Sequence, residues 1–283
     1  MPPLSLLEQS LITGLLTGGL YGLLALGLSL SWGLLRLVNI GHFAIALLGA
    51  YLTWYCGTVL GIAPWWAGLM IIAAFFVYGI GLHWLFMRFR VTEMASMLIT
   101  FALAIIIESI IQSIWTADFR RYETPWGAQS WVIGALYLPK LSLIAFGVAI
   151  ALAAATWAWL RYTYVGRALR ACAEDAPIAT AFGINHRGLS FLLSGLCAAY
   201  AGVAGVFIAL VATLAPSEIW AWVGVVFAVV IIGKLGNPLG ALAGGIFIGV
   251  CEAMTMAVVN PSWAPLVSFS VLIAFLLFRP RWI

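Results

Sequence analysis

Charge is what this sequence has least of. Of its 283 residues only 8% are Asp, Glu, Lys or Arg, against roughly a quarter in soluble domains, and a soluble fold cannot cover itself with so few. Cysteine is as sparse: Cys56, Cys172, Cys197 and Cys251 stand far apart with no C-x-x-C pair, which marks them as packing residues and reports no redox compartment. His42, His83 and His186 fall in separate segments without a His or Cys companion at ligand spacing, so no metal site is expected. Catalytic signatures are missing too. There is no G-x-S-x-G elbow, no H-E-x-x-H helix and no G-x-x-x-x-G-K-[ST] phosphate loop, since Gly233-Lys234 runs on into leucine. Nothing offers a nucleophile with a base, and any ATP must be bound by another chain. The opening MPPLSLLEQS lacks the Lys or Arg of a secretory signal, and the apolar run behind it is too long for one. That first apolar segment is expected to stay in the mature protein.

What the sequence has is apolar length. Hydrophobic residues make up 65% of it, divided into segments near residues 11–34, 39–60, 64–87, 94–115, 139–160, 189–212, 219–233, 239–258 and 264–278. The reading is an all-α, polytopic transmembrane helical bundle, a single domain over residues 1–283. The seventh and ninth segments fall short of the roughly 20 residues an untilted span needs, so the count stands at eight to nine, the alternative to nine being eight spans plus a re-entrant pair. The 13 Lys and Arg are scattered singly or in twos, which is orientation charge and not a nucleic-acid patch. Assigning connections to alternate sides puts ten of them (Arg36, Arg88, Arg90, Arg161, Arg167, Arg170, Arg187, Lys234, Arg279, Arg281) on one face and three (Arg120, Arg121, Lys140) on the other. With nine spans the positive-inside rule then places the N-terminus outside and the C-terminus in the cytoplasm.

Two connections exceed what a turn needs: residues 116–138 outside and 161–188 inside. The inner one reads RYTYVGRALRACAEDAPIATAFGINHRG and predicts two short helices end to end. Gly166 opens the first, Asp175 caps the second with Pro177 tolerated in its first turn, and Gly183 ends it. Such an element is built to dock into a partner or to lie on the headgroups as an amphipathic interfacial helix. The outer loop carries Asp118, Arg120, Arg121 and Glu123, suited to contact a partner protein, and Trp126 and Trp131, suited to anchor it at the headgroups. The breaker cluster from Gly233 to Gly240 reads either as a tight turn or as an unwound elbow facing a cavity.

Within the apolar segments, two features stand out. Gly14, Gly18 and Gly22 recur every four residues, as do Gly240 with Gly244 and Gly245 with Gly249; in lipid such stripes let backbones approach closely, either as helix packing within one subunit or as a seam between two. Intramembrane polar residues are costly and need a partner or a wet cavity. Asn39, His42, Glu108, Gln112 and Glu252 are the candidates for a solute path, with structural hydrogen bonding as the alternative.

The inner loop, with G-R-A-L-R-A-x-A-E-D followed by A-F-G-I-N, resembles the coupling loop of LivH-type permeases of branched-chain amino-acid ABC importers. LLRLVNIGHFAIALLGAYLT, VVIIGKLGNPLGALAGGIFIG and the closing LLFRPRWI resemble further stretches of that family, in the same order, over nearly the whole chain. Where the family commonly has N-F-A-H-G, this chain has Asn39, Ile40, Gly41, His42 and Phe43. The resemblance implies a bacterial inner-membrane permease subunit that pairs with a second permease, LivM-type in that family. It implies two ATP-binding subunits docked on Gly166, Arg167, Arg170, Glu174, Asp175 and Gly183, and an extracytoplasmic solute-binding protein. No cofactor is expected on this chain. A stand-alone, ion-driven carrier using Glu108 and Glu252 is the rival reading; a water channel based on Asn237-Pro238 and Asn260-Pro261 fails because the dipeptides sit too close together in sequence.

Overall fold

The computed structural model describes residues 4–124, 126–127, 129–134, 136–259 and 263–278. Among them are eleven helices: α1 (Leu4–Leu35), α2 (Gly41–Thr58), α3 (Pro64–Arg88), α4 (Glu93–Trp115), α5 (Lys140–Tyr162), α6 (Tyr164–Glu174), α7 (Ala176–Ala181), α8 (His186–Val211), α9 (Glu218–Ile232), α10 (Pro238–Val258) and α11 (Ala264–Phe278). Two strands, β1 (Ser130–Ile133) and β2 (Leu136–Pro139), lie between α4 and α5. Every predicted apolar segment is a helix. α1 starts well before the hydropathy placed it, because nothing in LSLLEQS breaks a helix. Six helices, α1, α3, α4, α5, α8 and α10, are long and apolar enough to cross a membrane. The others that match apolar segments, α2, α9 and α11, have 18, 15 and 15 residues. Asn260-Pro261 and the Arg279 and Arg281 of the charge count lie outside the described residues.

Local chemistry sets the boundaries. Pro64, whose missing amide costs nothing in a first turn, opens α3. The Thr92 hydroxyl accepts the Ala95 amide at 3.4 Å to start α4, and the Asn185 carboxamide oxygen accepts the Gly188 amide at 3.0 Å to start α8.

The packing is built on glycine. α1 and α10 run antiparallel and form the most extensive helix pair among the described residues. A Cβ at Gly14 would lie 2.7 Å from the Val250 Cα, one at Gly18 2.6 Å from the Gly245 carbonyl oxygen, and one at Gly22 2.9 Å from the Leu242 Cα. The stripes on α10 serve two neighbours. Gly245 and Gly249 face α1, whereas a Cβ at Gly244 would lie 2.8 Å from the Val229 carbonyl oxygen of α9, and Gly240 abuts Gly233 at the foot of α9. Of the two roles open to these glycines, the structure uses them for packing within one subunit.

α8 is the central helix, with 72% of its apolar window buried against 28% for α3 and 22% for α4. It runs antiparallel to α3, where a Cβ at Gly79 would press on Ala198 at 2.7 Å, and parallel to α2, where one at Gly205 would lie 3.0 Å from the Ala50 nitrogen.

Between α1 and α2 the chain leaves the helix at Arg36, whose φ is +54°. Backbone groups freed inside a membrane protein need internal partners, and neighbouring helices supply them. The Ser31 hydroxyl donates to the Leu37 carbonyl at 2.9 Å, and Thr100 of α4 accepts the Ile40 amide at 3.1 Å. The breaker cluster between α9 and α10 is a tight turn, not an unwound elbow. Lys234 (φ +70°) and Gly236 (φ +73°) reverse the chain, and the Gly236 amide is anchored on Ser29 of α1.

The β hairpin is the departure from an all-α chain among the described residues. β1 and β2 pair antiparallel from Ser130 opposite Pro139 to Ile133 opposite Leu136, turning at Gly134 with φ +64°. Gln9 of α1 holds it as a paired amide, donating to the Tyr137 carbonyl and accepting the Tyr137 amide, both at 2.9 Å. The hairpin therefore marks one end of the bundle, and α6 with α7 marks the other.

Candidate functional site

α6 and α7 form the two-helix element expected of residues 161–188. Thr163 caps α6 by accepting the Gly166 amide at 3.1 Å, and Asp175 caps α7 by accepting the Ile178 amide at 3.0 Å. Gly183, at φ +85°, closes the element in the left-handed conformation that a side chain disfavours. Gly166 is needed for another reason: a Cβ there would run into the Leu160 backbone and the Trp159 carbonyl, so its absence lets α6 fold back against the foot of α5.

α6 is strongly amphipathic in effect. Gly166, Ala168, Leu169 and Cys172 are buried against the bundle, while Arg167, Arg170 and Glu174 are exposed. Burial pushes the Cys172 thiol above its ordinary range, which keeps it protonated at neutral pH and fits a packing role. α7 presents a different surface. Asp175 and Gly183 flank it, and Ile178 and Phe182, one turn apart, are 57% and 84% exposed. These two apolar side chains were missed in the sequence, although A-T-A-F-G shows an aromatic where a solvated loop has no use for one.

The element is tied to the membrane helices by a residue the sequence did not single out. The Arg36 guanidinium, at the end of α1, donates to the Ala173 carbonyl at 3.1 Å. Ala173 is in the last turn of α6, where carbonyls lack helical partners and a cation is favoured. Arg36 thus couples α6 to the Leu37–Ile40 segment, which Thr100 fastens to α4.

The five intramembrane polar residues do not converge. His42 is buried in the first turn of α2, donating from Nε2 to the Leu24 carbonyl at 3.0 Å, with Gly27 making room for the ring. Glu252 on α10 is 5% exposed and accepts the Tyr21 hydroxyl of α1 at 2.9 Å and the Ser268 hydroxyl of α11, clamping three helices. Both are satisfied by neighbouring helices. Asn39 is half-buried below α2, and its buried Oδ1 has no hydrogen-bond partner.

Glu108 and Gln112 differ. They sit one turn apart on α4, Glu108 half-buried and Gln112 exposed, in the midst of exposed Phe101, Ile105, Ile106 and Ile110. Glu108 accepts the Trp220 indole N–H of α9 at 2.9 Å, and Phe101 packs on the same indole with ring centroids 5.4 Å apart. A carboxylate thus stands on an otherwise apolar outer face. At the hairpin end, Arg120 is not free: it donates twice to the Trp115 carbonyl, at 3.0 and 2.7 Å, and lies 4.6 Å over the Trp54 ring. Asp118, Arg121 and Glu123 remain exposed there. No cluster of His, Cys, Asp or Glu able to hold a metal ion occurs among the described residues.

The family described as branched-chain amino acid transport system, permease component, matches this chain over residues 10–276. The chain is 28% identical to the high-affinity branched-chain amino acid transport system permease protein LivH of Escherichia coli K12, over 96% of this chain and 93% of that one. It is 27% identical to the corresponding permease protein BraD of Pseudomonas aeruginosa, over 99% and 96%. It is 26% identical to a probable LivH of Methanocaldococcus jannaschii, over 96% and 91%. No solved structure matches. With membrane-length helices packed through glycine and a family match over almost its entire length, the chain belongs to the permease components of branched-chain amino acid transport systems.

Proposed function

We propose that this permease subunit of an ABC importer carries branched-chain or related amino acids, small amides included, by alternating access. The partners are a second permease, two ATP-binding subunits that hold all the ATP, and an extracytoplasmic binding protein. The observation that supports the reading most is the α6–α7 element: an ordered, doubly capped structure with exposed Ile178 and Phe182, shaped for a protein partner. In this reading α2, α9 and α11 complete nine spans, the N-terminus and hairpin lie outside, and α6 and α7 lie in the cytoplasm. Gly166, Arg167, Arg170, Glu174, Asp175 and Gly183 shape and charge the ATPase-facing element, with Ile178 and Phe182 as its apolar anchors. ATPase closure moves α6, and Arg36 transmits that motion to the α1–α2 segment bearing Asn39.

The solute path runs along the α4–α9 face. A charged side chain at mid-membrane depth costs about 3 kcal/mol unless a partner or water receives it, and half-buried Glu108 stands beside exposed Gln112 on the outer face of the isolated subunit. That face is therefore covered in the assembly, by water of the path and by the second permease. Glu252 and His42 serve helix packing. The test is uptake of labelled leucine into vesicles holding the reassembled transporter. Uptake is expected only with ATP, the binding protein and the ATPase pair; uptake by this chain alone under an ion gradient would contradict the importer reading.

A further inference from the structure

A cleft of about 610 Å³ opens between the foot of α5, the outer side of α6 and the α9–α10 turn. Arg161 from α5, Arg170 from α6 and Lys234 from the turn line it, with Glu174 as the sole carboxylate among its lining residues. All three cations are exposed, and no salt bridge or side-chain hydrogen bond occupies them among the described residues; Arg161 lies 5.2 Å from the Trp157 ring and 5.9 Å from the Tyr162 ring. Asn237 and Pro238 at the start of α10 also line the cleft. That helix end has no side-chain cap and no acidic residue in its first turn, so its free amides add positive potential to the site.

We propose that this cleft binds the phosphate headgroup of an anionic phospholipid. The cations come from three separate elements and converge where the apolar helices end, which is the depth at which lipid phosphates lie. Above the cleft, α5 exposes Ile150 on the same helix face as Arg161, apolar surface for an acyl chain, and Trp157 at the rim has the amphipathic character of an interfacial residue. Basic pockets between helix ends on the cytoplasmic side suit such headgroups. The assignment of this end to the cytoplasmic leaflet rests on the importer reading above, but lipid retention does not depend on ATP or on transport. The bound headgroup would bridge α5, α6 and the α9–α10 turn, so inner-leaflet composition becomes a regulator of the coupling element's position.

The test is lipid retention by the full-length chain in detergent, read by native mass spectrometry with phosphatidylglycerol and phosphatidylcholine of equal acyl length. Arg170 is left unchanged because it belongs to the coupling element. Wild type should retain phosphatidylglycerol in preference, and the preference should fall about fivefold with Arg161→Gln or Lys234→Gln and about thirtyfold with both. Equal retention of the two lipids, or a preference untouched in the double variant, would overturn the proposal. Displacement of phosphatidylglycerol by millimolar inorganic phosphate would overturn it in favour of a free-anion site. Loss of ATPase binding in the double variant, with lipid retention unchanged, would instead make the cleft a protein contact. An Arg161→Lys, Lys234→Arg variant keeps the charge and should keep the preference, which separates lost charge from lost folding.

Discussion

Tyr21, Glu252 and Ser268 join three helices through one carboxylate, whereas Glu108 meets only Trp220 and Gln112. Removing a buried acceptor strands its donors at about 1–3 kcal/mol each, so Glu252→Ala should lower thermal stability in detergent markedly. Glu252→Gln, which still offers an oxygen, should be milder, and neither should change uptake per folded transporter. Glu108→Gln should do the reverse, leaving stability within about 0.5 kcal/mol while cutting uptake about tenfold or more; uptake at the wild-type rate with normal assembly would remove Glu108 from the path. The glycines divide in the same way. Gly18→Val drives a side chain into the α10 backbone and should prevent folding or cost well over the roughly 1–3 kcal/mol of ordinary overpacking. Gly147, with nothing within 4 Å of where its Cβ would be, should accept alanine without loss, as thermal unfolding of the two variants would show. Glu108, Gln112, Glu252 and the stripe containing Gly18 stood out in the sequence, because charge is rare in apolar runs and those glycines recur every four residues. Which of them face a neighbour and which face outward was not legible, since that depends on helix rotation and on partners hundreds of residues away, as Tyr21 is from Glu252.

At the scale of elements, the α6–α7 pair was the most legible part of the chain, because its signals are local: Asp175 and Pro177 for a start, Gly183 for a stop. Thr163 took the first cap in place of Gly166, whose role is steric and depends on the unrelated foot of α5. The hairpin escaped notice because S-W-V-I and L-Y-L-P are four-residue strands, too short for a period of two to stand out in a loop rich in turn residues. Arg36 escaped because its partner is a carbonyl in the last turn of α6. Arg36→Gln should leave the subunit folded and ATPase-bound but reduce leucine transported per ATP hydrolysed at least severalfold, measured in vesicles; an unchanged ratio would remove it from the coupling route. Phe182→Ala should weaken ATPase binding about tenfold, as loss of an exposed aromatic anchor does, with no effect on thermal stability.

For the whole molecule, nine apolar helices among the described residues, glycine-lined contacts between distant segments and charged loops at both ends describe a membrane subunit. Its orientation can be read with thiol probes: Arg121→Cys should react with a membrane-impermeant maleimide in intact cells, and Arg167→Cys only in inverted membranes. The native Cys172 should stay slow in both, its thiol being buried and held protonated. Docking of the ATP-binding subunits on residues 161–188 is what the proposed function rests on. It is tested most directly by co-purifying the solubilised subunit with its ATPase pair, comparing wild type with a variant in which a Gly-Ser linker replaces residues 166–183. Binding by the wild type that disappears in the folded variant is the predicted result, and equal binding by the two, or none by the wild type, would contradict it.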